Sequence, residues 1–82
     1  MVDRAEAIAR LRDGTIKAQM FRLWQVRGAE GYTDDEMETV IGKPHQTVSA
    51  TRNALVNEGL VVDGGERRPT RYGVPAIVWV VA

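Results

Sequence analysis

Apolar residues recur along the chain first at helical spacing and later in strand-like runs, and glycine supplies most of the punctuation between them. Ile16, Met20, Leu23 and Trp24 fall at i, i+4, i+7 and i+8, one face of a helix with 3.6 residues per turn. Thr15 can cap that helix and Gly28 can stop it. Upstream, Ala5, Ile8 and Ala9 form a weaker stripe behind Asp3-Arg4-Ala5-Glu6, which reads as a capping box. This pattern predicts a short helix over residues 3–12 that closes near Asp13-Gly14.

Thr33-Asp34-Asp35-Glu36 is a second capping box, and its acids suit the positive end of a helix. Met37, Val40 and Ile41 supply the expected buried face, and Gly42 ends the helix after about two turns. Lys43-Pro44 makes a corner, and the next helix is predicted from His45 to Glu58, closed by Gly59. At 100° per residue, Val48, Arg52 and Leu55 cluster on one side, flanked by Thr51 and Val56. Gln46, Ser49, Ala50, Asn53 and Asn57 take the other side, which is polar, hydrogen-bonding and almost uncharged. Leu60-Val61-Val62 reads as a strand, Gly64-Gly65, Pro69 and Gly73 as turns, and Ala76–Val81 as a returning strand. That last strand is apolar on both faces, with Ile77, Trp79 and Val81 on one and Ala76, Val78 and Val80 on the other. Trp24 and Trp79 sit at stripe positions and are expected in the core.

The order is helix, helix, short helix, tight turn, longer helix and hairpin, an α+β arrangement. A short capped helix, a glycine turn and a second helix with a polar face form a helix-turn-helix unit, and the hairpin behind it is its wing. Residues 33–62, TDDEMETVIGKPHQTVSATRNALVNEGLVV, resemble the DNA-reading core of bacterial winged-helix regulators of the MarR type. The resemblance rests on Gly42, on Thr47-Val48-Ser49, and on Leu55 followed by Glu58-Gly59-Leu60-Val61. The stretch ERRPTRYGVPAIVWV is similar to the wing of small bacterial and bacteriophage winged-helix proteins. Together these imply one winged helix-turn-helix domain over residues 15–82, with residues 1–14 as a helical extension. The long flanking helices with which MarR-type regulators dimerise and bind ligands are missing here, so ligand sensing is not implied.

The reading that follows is sequence-specific binding of double-stranded DNA, with transcription regulation as the expected role. Recognition helix 45–58 would enter the major groove, and wing 64–74 would lie on the backbone or in the minor groove. His45, Gln46, Thr47, Ser49, Arg52 and Asn53 are the candidate contacts from the helix. Lys43, Arg67, Arg68, Thr70 and Arg71 are those from the turn and wing. The formal net charge is zero, but it divides unevenly. Residues 1–42 hold six basic and eight acidic residues, and residues 43–82 hold five and three. The wing arginines therefore promise a local positive site that the total conceals. Zero net charge and the acids at 34–38 support a competing reading, a winged helix used as a protein-interaction module.

The chain carries no cysteine, which excludes disulfides and thiolate metal sites. Its longest apolar run, Ala76–Ala82, is too short for a membrane helix, and its start lacks the pattern of a signal peptide. The expectation is a soluble cytoplasmic protein without cofactor. His45 and Ser49 stand at i, i+4 but lack a third catalytic group, and Asp34, Asp35, Glu36 and Glu38 read as helix-end charges rather than metal ligands. No enzymatic activity is expected. The doubly apolar strand needs a cover, either residues 3–12 of the same chain or a second subunit. A homodimer through the C-terminal strand or N-terminal helix is the slightly favoured expectation.

Overall fold

Capping decides where the helices begin. In the computed structural model, which describes residues 3–82, Thr15 Oγ1 accepts from the Ala18 N–H and opens helix α2, Ile16–Arg27. Thr33 Oγ1 accepts from the Glu36 N–H, and Glu36 Oε1 accepts from the Thr33 N–H. This reciprocal box starts helix α3, Asp34–Ile41. Gly42 then adopts a left-handed conformation at φ 69°, which few other residues take cheaply, and turns the chain toward helix α4, His45–Asn57. The expected box at Asp3 does not form. Helix α1 spans only Arg4–Ala9, Asp3 makes no side-chain cap bond, and Glu6 instead pairs with Arg10 at 2.6 Å.

Strands β1, Val61–Pro69, and β2, Pro75–Val81, form an antiparallel hairpin. Gly64-Gly65 is not its turn. Register jumps from Asp63↔Trp79 to Arg67↔Ile77, so residues 64–66 form a bulge within β1. Asp63 holds that bulge by accepting from the Gly65 N–H at 2.8 Å and from Arg67. The tip lies further on, at residues 70–74, where Thr70 accepts from the Gly73 N–H through its carbonyl and from the Tyr72 N–H through its hydroxyl. Tyr32 adds a bridge to β2 by exchanging two backbone hydrogen bonds with Trp79.

The four helices and the hairpin enclose one core of Ala7, Met20, Phe21, Trp24, Met37, Val48, Leu55, Leu60 and Val61. Trp24 is fully buried, as its position predicts, whereas Trp79 is only partly buried at the edge of the cluster. Two expectations change. The buried residue of α1 is Ala7, while Ala5 and Ala9 face solvent, and Val40 on α3 is half exposed. The second face of β2 packs within the chain against the 3-10 turn Gly28–Glu30 and Gly31. Val78 is buried there, and Val78 and Val80 pack directly over Gly31. Helix α1 packs on the main core through Ala7 and Ile8, followed by Leu11 beyond its end. No helix among the described residues is long and apolar enough to cross a membrane.

Candidate nucleic-acid interface

The turn at Gly42 presents α4 with its apolar side inward and its polar side free. Val48 and Leu55 are buried, whereas His45, Gln46, Ala50, Asn53 and Asn57 are exposed and Thr47 and Ser49 are half-buried. Gln46, Ser49 and Asn53 line one shallow depression with His45, Ala50 and Arg52. Their side chains make no intramolecular hydrogen bond among the described residues, so their donors and acceptors remain available. Lys43 is exposed at the corner before the helix and pairs with no acid among those residues.

The arginines are differently placed. Arg52 turns back from α4 toward the sheet. Its guanidinium donates to both carboxylate oxygens of Asp34 at 3.0–3.3 Å and covers the Trp79 ring at 4.3 Å from the centroid. Only 16 % of its side chain is exposed. In this geometry Arg52, one of the candidate contacts, is a strut between α3, α4 and β2. The helical wheel already put it beside Val48 and Leu55; its charge alone suggested otherwise.

Arg68 is a second strut. It donates to Glu36 at 2.7 and 3.1 Å and to the carbonyls of Glu30 and Gly31 at 2.8 and 2.9 Å. Burial opposes the charge on Glu36, but the Arg68 hydrogen bonds, the Thr33 N–H and the surrounding cations outweigh it and hold the carboxyl below its usual range. The Arg68 guanidinium is correspondingly held above its ordinary value by Glu36. Arg67 points along its own strand to Asp63, at 3.1 Å. The Gly65 N–H, then Arg67, lower the Asp63 carboxyl.

Arg71, at the hairpin tip, donates to Asp35 through its backbone N–H and Nε, and to Glu38 through Nη2. The first of these bonds is the main cause of a lowered Asp35 carboxyl. Glu38 also takes His45 Nδ1 at 2.8 Å. Thr70 spends its hydroxyl oxygen within the turn. The expected positive site is thus balanced. Arg52, Arg67, Arg68 and Arg71 each face an acid, and Lys43 is the sole candidate cation that does not. These acids stand 18 to 36 residues from the arginines they meet outside the hairpin, so no local sequence spacing announces the pairs. Tyr72, 81 % exposed at the tip, was likewise not singled out by its sequence context.

No group of acidic or histidine side chains suited to a metal occurs among the described residues. No protein-family model, curated protein or solved structure matches this chain.

Proposed function

We propose that the domain is a winged helix-turn-helix that binds double-stranded DNA, with α4 in the major groove and the tip of the hairpin beside it. The observation that carries this reading is the outward face of α4. It holds Gln46, Ser49 and Asn53 on a projecting helix, uncharged and without protein partners. Gln and Asn pair bidentately with adenine, and Ser accepts or donates to several base edges. Folding leaves such groups unpaired in water at no cost, but a purely solvated helix face more often carries Lys and Glu. Transcription regulation is the role that such a domain would serve.

Titration of a labelled random-sequence duplex at low salt tests the reading. The expected result is weak, salt-sensitive binding with Kd near about 10⁻⁴ to 10⁻⁶ M. Selection from a random library should then enrich a short motif. Absence of both refutes DNA binding. The competing reading, a protein-interaction module, draws on the cancelled charges around α4: a surface with few free cations gains little from counterion release. It predicts no enrichment at any salt.

A further inference from the structure

The tip of the hairpin is tied to the start of α4 through two carboxylates. Asp35 Oδ2 accepts from the Arg71 backbone N–H at 3.0 Å, and Asp35 Oδ1 accepts from Arg71 Nε at 2.6 Å. Glu38 Oε1 accepts from Arg71 Nη2 at 3.2 Å, and Glu38 Oε2 lies 2.8 Å from His45 Nδ1. A DNA phosphate offers the same chemistry to an arginine, namely anionic oxygens for two parallel N–H bonds. Arg71 is half exposed and its carboxylate partners border an open cleft lined also by Thr70 and Tyr72. Solvent reaches the pair, so exchange of one anion for another needs no unfolding of the core.

On the reading that α4 binds DNA, we propose that Asp35 and Glu38 are an internal stand-in for phosphate that restrains the affinity of the hairpin for any duplex. In the free protein they occupy Arg71. Binding must break those contacts before Arg71 reaches the backbone, and it leaves two carboxylates near the phosphates. The hairpin therefore adds little affinity by itself, and stable binding depends on the base contacts made by α4. Arg68 takes no part in this exchange, because its partners include two backbone carbonyls and it is held deeper.

A double-mutant cycle on a labelled random duplex at low salt tests the exchange. Asp35→Asn with Glu38→Gln should tighten binding by about three- to tenfold, the scale of releasing two ion pairs made by a half-exposed arginine. In the Arg71→Ala background the same pair of substitutions should change binding by less than about twofold. Equal tightening in both backgrounds means simple repulsion between acids and DNA, and overturns the proposal. So does weaker binding by the acid variant, which makes the acids supports of the bound state. Asp35 lies in the first turn of α3, so the cycle is also run with Glu38→Gln alone, and thermal melts by circular dichroism establish that each variant is folded. If the wild type binds and the cycle shows no coupling, the internal stand-in fails while DNA binding stands. If neither the wild type nor any folded variant binds duplex, both fall together.

Discussion

Arg52 and Trp79 stack with the guanidinium carbon 4.3 Å from the ring centroid, and the same guanidinium is bonded to Asp34. One side chain thus joins the two helices of the turn to the returning strand. Its flat, delocalised charge suits both partners at once, since it forks onto a carboxylate while facing an aromatic ring.

Arg52→Ala should therefore cost stability rather than specificity. It removes a cation–π contact of about 0.5–2 kcal/mol and leaves a largely buried Asp34 carboxylate short of its donors, at about 1–3 kcal/mol. We expect a loss of about 2–4 kcal/mol in urea unfolding, with Arg52→Lys recovering less than half. A loss under about 0.5 kcal/mol, with a large loss of duplex affinity, would return Arg52 to the DNA surface.

Gly31→Ala is expected to be severe. The new Cβ would lie 2.3 Å from the Trp79 carbonyl oxygen and 2.8 Å from methyl groups of Val78 and Val80, at φ 64°. Backbone oxygen cannot retreat without breaking the Tyr32–Trp79 bridge. The cost should exceed about 3 kcal/mol, against about 1 kcal/mol for Gly59→Ala, which meets open space at similar φ. Comparable melting temperatures for the two variants would refute the close packing of residues 28–31 on β2.

These two residues mark what the sequence discloses and what it does not. Helix starts at Thr15 and Thr33, the Gly42 turn and the inward side of α4 are local, so spacing and capping chemistry reveal them. The failed box at Asp3 shows the limit of that logic: Glu6 has a better partner one turn on, in Arg10. The ion pairs of the arginines are hidden from sequence for a different reason. Ionic pairing is decided by tertiary approach, and Asp34, Asp35 and Glu36 reach Arg52, Arg71 and Arg68 only after the chain has folded. The same holds for the cover of β2, which comes from a three-residue turn too short to carry a pattern of its own.

The outer face of α4 should bear specificity without bearing stability. Gln46→Ala and Asn53→Ala remove side chains that touch solvent, so unfolding free energies should stay within about 0.5 kcal/mol of wild type. On a selected site each should cost about 1–3 kcal/mol of binding, and little on random duplex. Equal losses on both kinds of DNA would mean that this face contacts backbone and reads no sequence.

Acid should weaken the tie between the hairpin and α3, and Glu36 provides the cleanest probe. Its folded-state carboxyl lies below the ordinary glutamate value of 4.5, burial being outweighed by Arg68 and the Thr33 N–H. A depressed carboxyl contributes stability that is fully present above the unfolded value and disappears as pH falls through the folded one. Asp35 and Asp63 are shifted in the same direction, by hydrogen bonds centred on Arg71 and on Gly65 with Arg67. Arg68 and Arg71 are shifted upward, so they stay charged and add no slope in this range. Thermal melts should therefore be nearly flat from neutral pH down to about 5 and fall below it. Glu36→Gln separates charge from capping, because glutamine can still accept from the Thr33 N–H at this helical position. That variant should lose about 0.5–1 kcal/mol at neutral pH, a figure kept small by the partial exposure of the pair, and should show a shallower acid slope. An unchanged slope would assign the acid sensitivity to the carboxylates of Asp35 and Asp63, and would leave Arg68 held mainly by the carbonyls of Glu30 and Gly31.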